Sequence, residues 1–169
     1  MEALEAMKTR RSIRKFSGEP VADEDVKKIL EAAMFAPSAV NEQPWHFIVV
    51  KDRAVLNKIP EVSPYSAMCQ TAALAIIICA DTNLEKAPGL GVLDCTLAGA
   101  NILLAAHALG LGAVWTATYP MQDRVKGVSE LLKLPKNVVP LCIIPIGHPA
   151  EKPAQPERFS MQRVHYNKW

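Results

Sequence analysis

The sequence predicts a single domain with an α+β or α/β sandwich fold, for three reasons. Helix-like and strand-like patterns alternate along the chain. The segment Ala72 to Ala80, AALAIIICA, is a continuous apolar run of the kind found in a central strand that is covered on both faces. Half of the 169 residues are hydrophobic, and no linker, internal repeat or low-complexity segment divides them. We therefore expect one domain spanning residues 1–169, with a substantial core.

The first half of the chain predicts two helices and then a strand. The second helix begins at Asp23, its expected N-cap, and is ended by Pro37. Its apolar residues have the spacing of an amphipathic helix and are Val26, Ile29, Leu30, Ala33 and Met34. Residues 36–44, APSAVNEQP, are typical of a loop. The segment Trp45 to Lys51, WHFIVVK, is short, β-branched and aromatic, so it predicts a strand.

In the second half, strands alternate with helices. The run from Gly91 to Leu109 is apolar on nearly every side, which predicts a buried helix. Gly112 to Ala117, GAVWTA, predicts a third strand, and residues 121–134 predict a surface helix. Val138 to Gly147, VVPLCIIPIG, predicts a fourth strand interrupted by prolines. The predicted order is helix, helix, strand, helix, strand, helix, strand, helix, strand and a tail.

Two apolar segments predict contacts beyond the core of one chain. The run Leu97 to Trp115 is long enough for a membrane span, but Asn101 and His107 lie inside it and two glycines break it, so we expect no membrane association. A helix with so little polar face needs cover on several sides, which favours a homodimer. The C-terminal Val164 to Trp169, VHYNKW, is expected to pack on its own subunit or across a partner. A short peptide-recognition tail is the alternative.

The charge balance and the cysteine pattern restrict the class of protein. Nineteen Lys and Arg residues against 17 Asp and Glu give a net charge of +2, too small for the broad positive surface of a nucleic-acid-binding protein. The N-terminus, MEALEAMKTRRS, has neither the apolar core nor the cleavage site of a signal peptide, so we expect a cytoplasmic protein. Cys69, Cys79, Cys95 and Cys142 form no CxxC pair and are expected to be reduced and buried.

Several kinds of active site are excluded by their missing motifs. Asp94 stands where a GxGxxG loop starting at Gly89 would have its third glycine, and no GxxxxGK[ST] phosphate loop is present. The four histidines are scattered without HExxH or zinc-ligand spacing, so we expect no metal. No GxSxG motif marks a nucleophile. A chain without its own acid, base, nucleophile or metal suggests that a bound cofactor supplies the chemistry.

The segment Thr9 to Phe16, TRRSIRKF, concentrates positive charge in an otherwise balanced chain. Arginine suits phosphate because its planar fork donates two parallel charge-assisted hydrogen bonds. Arg10, Arg11 and Arg14, with the Ser12 hydroxyl, could surround one phosphate group. The alternative is a solvent-exposed helix end whose cations interact with the helix dipole. Charge alone does not distinguish the two.

Four segments stand in one order across nearly the whole chain: TRRSIRKF, PSAVNEQPWHFIVV at 37–50, GLGAVWTATYP at 110–120 and IGHPAEKP at 146–153. Together they resemble the nitroreductase family of FMN-dependent oxidoreductases. The resemblance implies an α+β three-layer sandwich with a central, mainly antiparallel sheet flanked by helices. It also implies an obligate homodimer with two FMN sites at the dimer interface.

The resemblance also assigns the residues that would hold the FMN phosphate. It implies that Arg10, Arg11 and Ser12 contact the phosphate and the ribityl end. Lys152 or Arg158 would complete this site from the C-terminal segment.

A second group of residues would contact the flavin ring. The resemblance implies that Arg14 reaches the ring edge or the ribityl hydroxyls. Pro37, Ser38 and Asn41 would arrive from the other subunit, and Gln43 would hold their loop in shape.

The chemistry itself would rely on backbone groups. The resemblance implies that the backbone of Thr116, Ala117 and Thr118 faces the flavin, with an amide N–H near N5. Such a donor stabilises charge that develops during reduction, so we expect no catalytic side chain. The implied reaction is a ping-pong exchange in which NADH or NADPH reduces FMN and an acceptor such as a nitroaromatic or a quinone takes the electrons.

Two other interpretations stay open. One is a flavin-binding redox sensor without turnover, in which Cys69 or Cys95 is exposed and has a lowered pKa. The other is a dimeric interaction module without a cofactor, in which TRRSIRKF is a basic helix end.

Overall fold

The computed structural model describes all residues from Met1 to Trp169 and contains five α-helices and five strands. The helices are α1 (Ala3–Thr9), α2 (Asp23–Met34), α3 (Arg53–Val62), α4 (Gly91–Ala108) and α5 (Gln122–Leu132). The strands are β1 (Trp45–Val50), β2 (Leu74–Asp81), β3 (Gly112–Ala113), β4 (Thr116–Ala117) and β5 (Val138–Gly147). Short 3₁₀ turns cover residues 39–41, 64–70 and 161–163. The elements follow the predicted order, except that one predicted strand is split in two.

The strands form one sheet with the order β1-β2-β5-β3, and β4 also pairs with β5. All four strand pairs are antiparallel. Every residue of β2 is buried, as the continuous apolar run predicted. The α+β fold with a mainly antiparallel sheet is confirmed.

β2 divides the core in two because its side chains alternate between the faces of the sheet. Leu74, Ile76 and Ile78 join the core cluster that contains the buried residues of α2 and α4. Ala75 and Ile77 join the cluster that contains the buried residues of α3 and α5. Helices therefore cover both faces of the sheet, and the fold has three layers.

α4 is apolar on its inner and its outer side. Ala98, Ile102 and Ala106 have no exposed surface, whereas Leu93 and Leu97 are 59% and 45% exposed. By length and composition α4 is the one helix that could cross a membrane, but its inner residues belong to the core under the sheet. Its outer leucines leave apolar surface exposed on the side away from the sheet.

The start of α2 differs from the prediction. Asp23 is the first helical residue, and the N-cap position is Ala22, which has no capping side chain. The Asp23 carboxylate pairs instead with Lys51, just after β1. The predicted cap was wrong because this tertiary ion pair takes the side chain away from the helix end. The helix stops at Met34, three residues before Pro37.

The predicted strand from Gly112 to Ala117 is wrong in one respect, because it is broken into β3 and β4. Val114 and Trp115 lie between the two short strands. The Trp115 ring packs on Gly99 of α4 so closely that a Cβ atom at Gly99 would lie 2.2 Å from it. The break in the ladder thus coincides with the residue whose ring packs against the helix.

The last strand, β5, runs without a break through its prolines, and the predicted interruption takes the form of a bulge. The register with β2 shifts so that Ile78 pairs with Cys142 and Cys79 with Pro140, which leaves Leu141 unpaired. The free Leu141 carbonyl accepts hydrogen bonds from the N–H groups that follow β4. The bulge therefore fixes the end of β4.

The C-terminal tail does not pack on its own subunit. Residues 164–169 are exposed, and the one ring contact is a stack of Trp169 on His165, with centroids 4.3 Å apart. The prediction of own-subunit packing was wrong, since the tail extends away from the core. Packing across a partner stays a prediction.

Candidate functional site

Residues 10–16 follow α1 as an extended segment along the sheet. Ser12 forms a parallel bridge with Ala113, and the Ile13 N–H donates to the Ala113 carbonyl oxygen over 3.0 Å. Ile13 is buried. Side chains alternate along extended backbone, and the residues on the side opposite Ile13 are Arg10, Ser12 and Arg14. Since α1 ends at Thr9, these arginines lie beyond the helix.

Arg10 is half-buried and lies close to two other cations, Arg11 and Arg158. Burial, and then repulsion from these two guanidinium groups, lower the pKa of Arg10. None of the three forms an ion pair with a carboxylate. Guanidinium groups that repel one another gain most from an anion that can bind all of them, and a phosphate is such an anion.

The Arg11 side chain is largely engaged by backbone. Its Nε donates to the Ala154 carbonyl oxygen over 3.2 Å, and its Nη1 donates to the carbonyl oxygens of Lys8 and Arg10. Arg11 therefore joins the end of α1 to the C-terminal segment. Its Nη2 is the guanidinium nitrogen left without a protein partner.

Two surface cavities meet at Arg11. One has a volume of about 660 Å³ and is lined by Arg11 and residues 155–159, which include Arg158. The other has a volume of about 620 Å³ and contains Lys152. Arg158 repels the Arg10 guanidinium and Lys152 does not contribute. Of the two C-terminal cations named from the sequence, the structure brings Arg158 to Arg10.

Arg14 has a fixed backbone and an exposed side chain. Oε1 of Glu151 accepts hydrogen bonds from the N–H groups of Arg14 and Lys15. The Ala150 N–H donates to the Lys15 carbonyl oxygen over 2.8 Å. These bonds hold the segment against the C-terminal residues, and the Arg14 guanidinium itself forms no hydrogen bond or ion pair with the chain.

The loop from Pro37 to Gln43 has an unusual backbone. Val40, Asn41 and Gln43 have φ values of 44°, 55° and 48°, a left-handed conformation that costs β-branched Val40 in particular about 1–3 kcal/mol. The Ser38 Oγ accepts from the Gln43 N–H over 3.1 Å, and the Gln43 Nε2 donates to the Asn41 Oδ1 over 2.8 Å. Neither cavity beside Arg11 is lined by this loop.

Two buried carboxyl groups anchor that loop to the rest of the chain. The Asp94 Oδ1 accepts from the Ala39 N–H over 3.0 Å, and the Glu42 Oε2 accepts from the N–H groups of Lys86 and Ala87. Hydrogen bonds from Ala87 and Lys86 lower the pKa of Glu42, whereas burial and the neighbouring Glu42 raise the pKa of Asp94. The opposite directions of the two shifts make Asp94 the more readily protonated member of the pair.

Thr116 is held by a chain of buried hydroxyl groups. Its Oγ1 donates to the Ile143 carbonyl oxygen over 2.8 Å, so the Ser66 hydroxyl donates to Thr116, also over 2.8 Å. Ser63 lies 2.9 Å from Ser66 at the other end of the chain. The Thr116 side chain is thus structural, and its backbone is fixed to both β5 and the 3₁₀ turn at residues 64–70.

Ala117 turns its backbone away from β5. The Thr118 N–H donates to the Leu141 carbonyl oxygen over 2.9 Å, and neighbouring residues of an antiparallel strand point their N–H and C=O groups to opposite sides. The Ala117 carbonyl oxygen accepts instead from the Arg124 Nη1 over 3.2 Å. Of the three backbone amides named from the sequence, that of Ala117 is the one directed away from the sheet.

The sequence pattern that defines the nitroreductase family matches residues 7–73 and 61–148 of this chain. The chain belongs to the nitroreductase family. The match covers the arginine segment, the loop 37–43 and β4.

Three proteins illustrate how similar this nitroreductase is to others. A Methanothermobacter thermautotrophicus protein assigned as an NADH dehydrogenase/NAD(P)H nitroreductase is 56% identical to this chain. The alignment covers all of this chain and 88% of that protein. A Parabacteroides distasonis crystal structure with the same assignment has a TM-score of 0.95 and 40% identity over 99% of this chain and 98% of that one. The FMN-dependent nitroreductase from Clostridium difficile has a TM-score of 0.91 and 32% identity, covering 98% and 99% of the two chains.

The cysteines of this nitroreductase contradict the hypothesis of a redox sensor that uses Cys69 or Cys95 as an exposed thiol of lowered pKa. All four are free and buried, as predicted. Burial raises the pKa values of Cys69, Cys79 and Cys95 to about 12, and that of Cys142 well above its ordinary value. Neither Cys69 nor Cys95 is an exposed thiol of lowered pKa, since both lie in the core.

Sequence reasoning missed the Glu42–Asp94 pair and the contact of Arg124 with β4. Asp94 offered a usable signal, because a carboxylate in the first turn of an otherwise apolar helix is out of place unless it is paired. Arg124 offered none, since its segment resembles any solvated helix. Its partners, Ala117 and Tyr65, are distant in the sequence.

Proposed function

We propose that this nitroreductase is an NAD(P)H-dependent FMN oxidoreductase that passes electrons to a nitroaromatic or quinone acceptor in a ping-pong reaction. The observation that carries the proposal is the cluster of Arg10, Arg11 and Arg158, three guanidinium groups without a carboxylate partner. The FMN-dependent relative with the same fold along nearly its whole length supports the choice of anion.

The donor groups of this cluster suit the phosphate of FMN. Arg10 and Arg158 would bind the phosphate directly, with Ser12 on the same side of the segment. Arg11 would contribute its free Nη2 while its other nitrogens hold the C-terminal segment in place. When bound, FMN supplies a ring system that accepts and releases hydride.

The ring would lie along the edge of the sheet at β4. There the Ala117 N–H is the backbone donor available to N5, because the Thr118 N–H is bonded to Leu141. The exposed guanidinium of Arg14 would reach the ring edge or the ribityl hydroxyls. In this arrangement the chain binds and orients the cofactor without any titrating side chain.

The second wall of the site would come from another copy of the chain. Pro37, Ser38 and Asn41 lie on a strained loop that does not line the cavities beside Arg11. Large apolar side chains are exposed in this loop, at the end of α2 and on α4, and they are Met34, Phe35, Val40, Leu93 and Leu97. Burying this surface between two copies would stabilise a homodimer and bring the loop to the partner's FMN.

The first experiment is a visible spectrum of the purified protein, with the released chromophore identified by chromatography. We expect FMN, and we expect its absorbance to bleach when NADH or NADPH is added without oxygen. Titration of both nucleotides would give their preference. A colourless protein that does not take up FMN would refute the proposal.

The second experiment is steady-state kinetics with menadione and with nitrofurazone at several NAD(P)H concentrations. A ping-pong reaction gives parallel lines in double-reciprocal plots, whereas intersecting lines would exclude it. Sedimentation at micromolar concentration would report the oligomeric state. A monomer that still binds FMN tightly would contradict the shared site.

A further inference from the structure

Arg124 lies in the first half of α5, and its guanidinium group is unusually confined. Its Nη1 donates to the Ala117 carbonyl oxygen over 3.2 Å, and its Cζ lies 4.8 Å from the centroid of the Tyr65 ring. It forms no ion pair. Its Nε is buried and has no hydrogen-bond partner. A buried donor without a partner is rare and costly, so its presence calls for an explanation.

The contact places the positive charge at a particular edge of the sheet. In an antiparallel strand the N–H and C=O groups of one residue point to the same side. The Ala117 carbonyl that binds Arg124 therefore lies beside the Ala117 N–H, on the side away from β5. Whatever group this N–H contacts also lies next to the guanidinium.

The surroundings of Arg124 are connected to β4 by hydrogen bonds. Tyr65 belongs to the 3₁₀ turn at residues 64–70, and its neighbour Ser66 is hydrogen-bonded to Thr116 over 2.8 Å. The turn that carries Tyr65 is thus tied to β4, the strand that contains Ala117. The guanidinium lies between the aromatic ring and the carbonyl oxygen, so it cannot swing out to solvent without losing both contacts.

We propose that Arg124 is a positioning residue that favours the reduced form of the cofactor, because it fixes the Ala117 edge and holds a permanent positive charge beside the flavin ring. The inference rests on the proposed function, since it requires FMN at β4. Reduction by hydride adds negative charge to the ring, and a cation in a partly buried site stabilises added negative charge. The confinement by Tyr65 keeps that charge in place.

The test compares reduction potentials of the FMN-loaded protein. Wild type, Arg124→Gln and Arg124→Lys are titrated anaerobically against a reference dye, and the affinity of each apoprotein for oxidised FMN is measured by fluorescence. Lys126→Gln is the matched control. It removes the same charge from the same helix, where the Lys126 side chain is 77% exposed.

Arg124→Gln is expected to bind reduced FMN at least tenfold less well relative to oxidised FMN, which lowers the potential by about 30 mV. Arg124→Lys keeps the charge and is expected to stay within about threefold of wild type, as is Lys126→Gln. An unchanged potential in Arg124→Gln would overturn the proposal. So would equal losses in the Gln and Lys variants, since they would show that the charge is not what matters.

Tyr65→Leu keeps the proposal testable if Arg124→Gln does not fold. It leaves the charge in place but removes the ring that confines it, and a smaller decrease in potential is expected. An unchanged potential in Tyr65→Leu would then overturn the proposal. If wild type binds no FMN, the proposed function fails and this inference fails with it. If wild type binds and reduces FMN normally, a negative result concerns Arg124 alone.

Discussion

The carboxyl groups of Glu42 and Asp94 are neighbours, and each residue is more than nine-tenths buried. Oε1 of Glu42 and Oδ2 of Asp94 have no hydrogen-bond partner. Burial, and then the neighbouring Glu42 carboxylate, raise the pKa of Asp94. The backbone N–H groups of Lys86 and Ala87 stabilise the charge on Glu42, so Asp94 is the member of the pair that protonates first as the pH falls. The loop at residues 37–43 is thereby tied to α4.

Asp94→Asn is expected to stabilise the protein at alkaline pH. Since folding raises the pKa of Asp94, its contribution to stability is complete below the ordinary carboxyl pKa and decreases as the pH rises. Asparagine donates to Glu42 and still accepts from Ala39 without ionising. The melting temperature should rise by about 2–4 °C at pH 8 and change less at pH 5.

Asp123→Asn is the control for that measurement, because Asp123 is an exposed residue in the first turn of α5. It should show no such difference between the two pH values. A lower melting temperature for Asp94→Asn than for wild type at pH 8 would contradict the raised pKa of Asp94.

Arg10→Gln is expected to weaken FMN binding by about 10- to 100-fold, the effect of losing one charge-assisted hydrogen bond worth about 1.5–3 kcal/mol. Relief of the repulsion among Arg10, Arg11 and Arg158 should make the apoprotein no less stable. Fluorescence titration of the apoprotein with FMN gives the affinity. Lys15→Gln, an exposed charge on the same segment, is the control and should bind normally.

Arg11→Ala is expected to weaken FMN binding by about 1.5–3 kcal/mol. Part of the loss should act through Arg158, because Arg11 holds the Ala154 carbonyl and with it the segment that carries Arg158. In a double-mutant cycle with Arg158→Ala the losses should be less than additive. Fully additive losses would mean that Arg11 does not position Arg158.

Thr116→Val should destabilise the fold by about 1–3 kcal/mol, since it removes two buried hydrogen bonds and leaves the Ser66 hydroxyl without its acceptor. Valine has nearly the same shape, so packing is preserved. Urea unfolding measures the change. Thr71→Val, at an exposed position, should change stability by less than about 0.5 kcal/mol. Equal effects at the two positions would refute the role of the hydroxyl chain.

The sequence predicted best those features that depend on local patterns. The apolar run at Ala72–Ala80 gave β2, and the four segments gave the family. Features that depend on contacts between distant residues were not predictable. The ladder breaks between β3 and β4 where Trp115 packs on Gly99, and Asp23 does not cap α2 because it pairs with Lys51.

In the candidate site, too, local patterns were predictable and contacts between distant residues were not. Residues 10–16 could be recognised from their composition, but the engagement of Arg11 with three carbonyl oxygens could not. The positions of Arg124 and Tyr65 around Ala117 depend on how α5 and the 3₁₀ turn pack against β4. No local sequence pattern predicts this packing.

The four buried cysteines make the chain its own reporter of unfolding. Burial raises the thiol pKa of Cys69, Cys79 and Cys95 to about 12 and that of Cys142 well above its ordinary value, so very little reactive thiolate forms at pH 7, and the core shields it from reagents. A maleimide reagent should therefore leave the folded protein unlabelled for hours. Because Cys69 and Cys142 lie in the two different core layers around the sheet, simultaneous labelling of both would show that the layers open together, and staggered labelling would show which separates first.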